Sequence, residues 1–166
     1  MKLAVALAVS ATALLASPAS AIGQMAQRRM TAAEIAMQPH SGPIAGTSGL
    51  AGIRTMVLSG DPARAGTYTI ELLVPAHTRI NAHEHRDNRS AVVVSGTWYF
   101  GYGSKAEDAA AKALGPGSFY TEPANVAHFA HTGDSAVAVI ITGDGPTDTR
   151  YATPTDAPDP ATGARP

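Results

Sequence analysis

Apolar and polar residues alternate over much of the chain between residues 56 and 142, and this period of two predicts β-strands. The clearest such segment is 68–74, which ends at Pro75. Turn-forming glycine, proline, asparagine and aspartate residues separate the other segments. The predicted strands are 56–58, 68–74, 80–84, 91–94, 97–100, 118–121, 126–130 and 136–142. Many short strands at even spacing predict an all-β fold, either a barrel or a double-sheet jelly roll.

Two segments interrupt this pattern with helix signals. Thr31 and Glu34 have the spacing of a capping box, in which each side chain accepts from the other residue's backbone N–H, so a short N-terminal helix is predicted before Pro39. Ser104 and Glu107 repeat the spacing ahead of an alanine-rich stretch. This second box predicts one short inserted helix over residues 108–114.

The start of the chain predicts export. Lys2 precedes an apolar run that is too short to span a bilayer and that leads to Ala19-Ser20-Ala21. This order is typical of a secretory signal peptide, residues 1–21, cleaved after Ala21, whereas a membrane anchor would need a longer apolar run. We therefore expect a periplasmic or secreted protein with no membrane association after cleavage. The rest divides into an N-terminal helix and loop (22–52), one domain (53–152) and a disordered tail (153–166).

The composition of the chain limits which partners it can bind and which interactions can stabilise it. The formal net charge is −1 and no basic cluster is present, which argues against nucleic acid as a partner. There is no cysteine, so no disulfide can stabilise the domain. Stability must come from packing, with metal binding as an additional source.

His83 and His85 carry the strongest chemical signal in the sequence. Side chains alternate along a strand, so two histidines separated by one residue lie on the same face, with Cβ atoms about 7 Å apart. Both imidazoles can then reach one ion at roughly 2.0–2.1 Å. A third histidine from a neighbouring strand, such as His128, would complete one face of a metal site and leave the other face open.

The residues around these histidines have a regular spacing. Gly96 follows His85 by eleven residues, and downstream Gly117, Pro123 and His128 follow one another at intervals of six and five. Together these spacings resemble the two motifs of the cupins, which are small jelly-roll barrels. The resemblance extends from about residue 57 to residue 143, most of the predicted domain.

Four positions depart from the cupin motifs. His77 stands at the first glycine of motif one and Asn125 at the glycine of motif two, but both residue types tolerate the left-handed turn conformation that glycine adopts there. Thr132 replaces a terminal asparagine. Arg89 stands at the position of the metal-binding glutamate, and a guanidinium cannot ligate a metal.

The resemblance implies a site of three histidines, His83, His85 and His128, with one divalent transition metal that is Fe, Zn, Mn, Ni or Cu. It also implies a small-molecule ligand and a homodimer. For Arg89 two orientations are open. It either faces the site and binds an anion on the open side of the metal, or faces solvent and pairs with Asp87.

Other candidate residues surround this site. Asp87 or Asn88 could reach back as an oxygen ligand of the metal. The aromatic residues predict an apolar pocket wall, made of Trp98, Phe100, Phe119 and Phe129. Arg89 and His131 are the candidate catalytic residues, and Glu122 is a further candidate base. Two functions follow: a metal-dependent oxygenase or isomerase acting on a small anionic molecule, or a non-catalytic protein that binds a small ligand or metal.

Overall fold

The computed structural model describes residues 25–158, and its regular structure consists mainly of ten antiparallel strands. The strands are β1 (Arg54–Ser59), β2 (Gly66–Val74), β3 (Arg79–Glu84), β4 (Arg89–Ser95), β5 (Trp98–Tyr102), β6 (Lys112–Leu114), β7 (Phe119–Glu122), β8 (His128–Thr132), β9 (Val137–Gly145) and β10 (Arg150–Tyr151). They form one sheet in the order β1-β2-β9-β4-β7 and a second in the order β10-β3-β8-β5-β6. The predicted all-β jelly-roll fold is confirmed.

The core lies between the two sheets, because alternate residues of the long strands point inward. In the first sheet, Tyr68, Ile70 and Val74 of β2 and Val93 of β4 are completely buried. Trp98 of β5 closes the core from the second sheet. At one end of this apolar core, buried polar side chains line a cavity.

The two helix predictions have different outcomes. Helix α1 (Ala32–Ala36) has the predicted capping box, with Thr31 accepting from the N–H of Glu34 and the Glu34 carboxylate accepting in return. The inserted helix was a wrong prediction, because the segment holds only a three-residue 3-10 turn at Asp108–Ala110. The residues that follow extend and pair as β6 with β5, which satisfies their backbone groups without a helix.

Two non-glycine residues adopt the left-handed turn conformation that the sequence predicted. His77 has φ 55° and Asn125 has φ 60°, and they are the only non-glycine residues with positive φ among residues 25–158. Each forms a tight turn just before a strand that carries a histidine of the candidate site. The turn geometry of both motifs is therefore kept despite the loss of glycine.

The terminal predictions fall largely beyond this region. The predicted signal peptide, residues 1–21, lies outside the described residues. Of the tail predicted to be disordered, the part up to Pro158 contains a 3-10 turn at Pro154–Asp156, and residues 159–166 also lie outside. Within residues 25–158, no helix has the length and apolar character needed to cross a membrane.

Candidate metal centre

Three histidines meet between the sheets at one end of the core. His83 on β3 and His128 on β8 are directly opposite in the strand ladder, and His85 follows β3. The ring centroids of His83 and His128 are 4.5 Å apart, and that of His85 lies 5.0 and 5.1 Å from them. One ring nitrogen of each lies within 4.8 Å of the others. The three residues named as ligands from the sequence therefore come together, and all three are buried.

Backbone carbonyls fix the orientation of all three rings. In each ring Nδ1 lies within hydrogen-bond distance of a carbonyl oxygen: 2.7 Å for His83 with Asn81, 2.6 Å for His85 with Asp148, and 3.1 Å for His128 with Val126. A carbonyl only accepts, so the hydrogen is assigned to Nδ1 and Nε2 keeps its lone pair. The Nε2 atom of His128 is buried without a hydrogen-bond partner. Such a donor set fits a metal cation, because ligating histidines use one nitrogen and anchor the other.

Burial also keeps the three imidazoles neutral. Loss of water lowers the pKa of His83 to about 4, with the nearby His128 adding to the effect. Burial likewise lowers the pKa of His128 to about 4. The pKa of His85 is lowered by burial and by the positive charge of Arg89. Neutral imidazole is the form that binds metal ions, so the site is in its ligating state at neutral pH.

Arg89 points inward and is 4% exposed, which excludes the solvent-facing alternative. Its guanidinium donates to the carbonyl of Gly46 at 2.8 Å and to the hydroxyl of Thr147. It also lies 3.4 Å from Asp87 Oδ2 and 3.4 Å from Glu122 Oε2. Two carboxylates and two neutral oxygens thus satisfy Arg89, so it is not free to clamp a further anion.

Glu122 is the carboxylate nearest to the histidines. It is 5% exposed, and its Oε2 lies 3.6 Å from Nε2 of His85 and 3.7 Å from Nε2 of His128. Burial raises the pKa of Glu122, and the charge of Arg89 opposes that rise. A carboxylate is therefore part of the cluster even though the cupin glutamate position holds arginine.

Asp87 and Asn88, the two residues considered as oxygen ligands, both make other contacts. Asp87 accepts hydrogen bonds from the hydroxyls of Tyr68 and Thr147, at 2.7 and 2.5 Å, in addition to its contact with Arg89. Asn88 accepts from the N–H of Ala124 at 2.9 Å. Both side chains are used to hold the surrounding loops together.

Two of the four predicted wall residues line the cavity beside the histidines. Trp98 and Phe100 of β5 are 4% and 5% exposed. The ring of Phe100 stacks on His128, with centroids 5.5 Å apart and an angle of 27° between the planes. An apolar wall thus borders the candidate metal ligands directly.

Phe119, Phe129 and His131 do not contribute to the cavity. Phe129 follows His128 on β8, so it points to the other face of its sheet, where its ring covers Gly101. Phe119 is 63% exposed on β7. His131 stacks on Tyr99 outside the barrel, with ring centroids 4.6 Å apart, and is too remote to act as a base there. The alternation of strand residues accounts for the positions of Phe129 and His131.

The cavity is small and has two kinds of wall. About 30 Å³ is open to the centre of a water molecule, which is room for roughly two waters. The histidines, Arg89 and Glu122 line one part, and the remaining wall is largely apolar. Trp98 Nε1 and the Tyr120 hydroxyl lie in that wall, near one another but without a hydrogen bond of normal geometry. Both atoms are buried.

Residues 46–48, which we call the closing segment, cover the cavity and are buried. The C-terminal part of the domain holds them in place. Thr149 donates to the carbonyl of Thr47 at 2.8 Å, and Tyr151 donates to that of Ser48 at 2.6 Å. The candidate site is thus closed on this side by an N-terminal loop.

A second, wider depression lies behind the aromatic wall. This outer groove, of about 440 Å³, is lined by residues of β5, β6 and β7. Phe100 and Tyr120 line both spaces, and their rings are 4.3 Å apart. Phe119 and Lys112 are exposed in the groove. The two aromatic rings are therefore the partition between the groove and the histidine cavity.

Sequence reasoning missed the role of Tyr120, the closing segment and the pairing of Glu122 with Arg89. One signal was present, because Tyr120 and Glu122 alternate with polar or exposed neighbours on β7 and so face inward together. The closing segment gave no signal, since a glycine-rich loop far from the histidines in sequence does not indicate where it packs.

No protein-family model and no curated protein matches the chain. Among solved structures, the polyketide cyclase RemF from Streptomyces resistomycificus has a TM-score of 0.64 and 14% identity, covering 80% of this chain and 90% of that one. An RmlC-like cupin from Shewanella frigidimarina has a TM-score of 0.51 and 16% identity, covering 73% and 93%. A DMSP lyase structure has a TM-score of 0.51 and 19% identity, covering 61% and 53%, so this chain spans about half of its length. At such identities the similarity is one of fold.

Proposed function

We propose that this protein, which has the cupin fold, binds one divalent transition metal through His83, His85 and His128. The supporting observation is that all three Nδ1 atoms are bonded to backbone carbonyls, which turns three buried Nε2 lone pairs towards one another. Imidazole ligands accept Fe, Zn, Mn, Ni or Cu. The site residues are already oriented, so little rearrangement is needed for an ion to bind.

Metal analysis of untagged protein purified from its native compartment tests this proposal. We expect about one equivalent of a transition metal in the wild type, and a loss of most of it in His128→Ala. The matched control is His131→Ala, which removes a histidine from the outer face of the same strand and should leave the metal content unchanged. Less than a tenth of an equivalent in the wild type would overturn the proposal.

For the activity, we propose metal-dependent conversion of a small molecule, of the oxygenase or isomerase type. Enzymes occur among the similar structures, which include a polyketide cyclase and a DMSP lyase. A bound divalent metal would supply Lewis acidity and, for Fe or Cu, redox chemistry. The protein itself contributes an apolar wall beside the histidines, to which Trp98, Phe100 and Tyr120 belong.

The substrate is proposed to be small and anionic, and to reach the histidines from the outer groove it would have to displace the Phe100 and Tyr120 rings. The cavity admits only about two water-sized groups, whereas the groove has room for a larger part. Lys112 places a positive charge in the groove. Because Arg89 is already paired, Lys112 replaces it as the cation that attracts the substrate.

The second candidate function is metal or ligand binding without turnover. It is favoured by the small, partly covered cavity and by the position of His131 outside it. Oxygen uptake and product formation by Fe²⁺-loaded protein, measured with panels of thiols and diketones, separate the two. Saturable binding with neither oxygen uptake nor product supports the binding function, and turnover that is lost in His128→Ala supports the enzyme.

Export and dimerisation are proposed from the sequence. A mature N-terminus at Ile22, found by N-terminal sequencing of protein from the periplasm or medium, would support cleavage after Ala21. Retention of Met1 in the protein from cells would oppose it. A homodimer is expected from the cupin resemblance, and light scattering tests it.

A further inference from the structure

A carboxylate lies directly across from the arginine that stands at the cupin glutamate position. Arg89 of β4 and Glu122 of β7 are partners in the strand ladder. Both are buried, and both side chains line the cavity that contains the three histidines. The negative charge that the family motif places on β4 is thus present in this chain on the neighbouring strand.

The spacing of Glu122 from the histidines is close to that of metal ligands. Its Oε2 lies 3.6 Å from Nε2 of His85 and 3.7 Å from Nε2 of His128. Ligands at 2.0–2.1 Å from a tetrahedral metal lie about 3.4 Å from one another. The carboxylate oxygen is therefore within a few tenths of an ångström of the separation that a shared ion requires.

Neither histidine donates a hydrogen bond to the carboxylate in this approach. In His85 and His128 the N–H group is the one at Nδ1, and it points to a backbone carbonyl. Each Nε2 therefore faces the carboxylate with a lone pair. The Nε2 atom of His128 has no hydrogen-bond partner. Buried acceptors turned towards one another repel, and Arg89, the cation beside them, approaches Oε2 of Glu122 only to 3.4 Å.

Arg89 contacts the Glu122 carboxylate but leaves it able to bind another group. The guanidinium makes its closest contacts with the carbonyl of Gly46 and the hydroxyl of Thr147, whereas its contact with Glu122 Oε2 is 3.4 Å long. Asp87 provides a second carboxylate for the same guanidinium. Arg89 is therefore held in place by other groups, and Glu122 remains able to donate electron density to an ion.

We infer that Glu122 is a fourth protein ligand of the metal, supplied from β7 in place of the β4 glutamate of the cupin motif. This inference rests on the proposed three-histidine metal site. It changes the predicted ligand set from three neutral nitrogens to three nitrogens and one carboxylate oxygen. Arg89 is then a positioning residue that keeps the carboxylate against the histidines.

Metal affinity and the absorption spectrum of bound Co²⁺ test this ligand. Glu122→Gln keeps the size of the side chain and removes its charge, while Asp87 and Gly46 still hold Arg89. Glu122→Asp keeps the charge and withdraws the oxygen by one methylene group. Both variants should weaken Zn²⁺ binding in chelator competition by at least about tenfold and change the Co²⁺ spectrum.

The matched control is Glu84→Gln. Glu84 lies between the two histidines in sequence but contacts Arg150, at 3.3 Å, on the opposite face of β3. Its variant should bind both metals as the wild type does. Wild-type affinity and spectrum in Glu122→Gln would overturn the ligand assignment while leaving the histidine site intact. Failure of the wild type to bind metal would instead overturn the proposed function itself.

A measurement on the wild type covers the case in which the Glu122 variants do not fold. The chain has five glutamates, and ¹³C labelling of their side-chain carboxyl carbons gives five signals. Co²⁺ should shift one of these strongly relative to the Zn²⁺-bound protein, because a ligating carboxylate shares electron spin with the ion. Five unshifted signals at full Co²⁺ occupancy would overturn the inference.

Discussion

At the scale of single residues, the turn at His77 shows which feature of a motif must be kept. The motif glycine is replaced, yet the left-handed conformation is retained with φ 55°. His77→Val should lower the free energy of unfolding by about 1 kcal/mol, because a β-branched residue is poorly tolerated there. His77→Gly should cause no comparable loss. Urea denaturation measures both, and equal stability of the two variants would contradict this account of the turn.

The buried histidines give the metal-free protein a defined pH dependence. The pKa values of His83 and His128 are about 4 in the folded state, whereas histidine in an unfolded chain titrates near pH ~6.5. The unfolded chain therefore takes up protons first as the pH falls. Their contribution to stability is fully present above pH ~6.5 and is lost between that value and about pH 4.

Glu122 opposes part of this loss. Its pKa is raised by burial, so its contribution favours the folded state below the unfolded value of 4.5 and declines as the pH rises through the folded value. Three buried histidines have lowered pKa values and one carboxyl group has a raised pKa, so the net effect is a loss of stability as the pH falls. Chelator-treated protein should have a lower urea midpoint at pH 5 than at pH 7.5, and an equal or higher midpoint at pH 5 would contradict the prediction.

The residues of the site divide according to how far their interactions extend along the chain. The positions of His83 and His85 follow from alternation within one strand, so the sequence could predict that they share a face. The contact between Arg89 and Glu122 depends on which strands are neighbours and in which register they pair. The spacing of residues along the chain does not determine that register, so the ion pair between Arg89 and Glu122 could not be predicted.

At the scale of elements, the closing segment depends on the C-terminal strand. Tyr151→Phe keeps the ring and removes its hydrogen bond to the carbonyl of Ser48. We expect the bound metal to be released to an excess of chelator several times faster than from the wild type, with about 1 kcal/mol of stability lost. The control is Thr67→Val, which removes a remote exposed hydrogen bond to Asp144. Equal release rates in all three proteins would show that the segment does not limit exchange.

The inserted helix shows where local signals fail at this scale. Ser104 and Glu107 have capping-box spacing, but the helix that they would start is too short to be stable alone. The edge of β5 offers backbone partners instead, and Lys112–Leu114 pairs with it as β6. Tertiary pairing therefore overrode the helix preference of an alanine-rich segment.

At the scale of the whole molecule, each sheet supplies a different part of the site. The β10-β3-β8-β5-β6 sheet carries His83 and His128, and the other sheet carries Arg89 and Glu122. The jelly-roll class could be predicted because many short alternating strands have few ways to bury their apolar faces. The shape of the cavity could not, because it depends on how two sheets and a distant loop meet.

The partly covered cavity has a consequence for which ion the protein carries. The closing segment covers one side of the histidines, so an ion that enters there must displace it or arrive before it is in place. If opening is rare once folding is complete, the first ion bound is retained, and later competition among metals has little effect. The compartment in which the chain folds would then decide its metal, so the same sequence folded in the cytosol and after export would carry different ions.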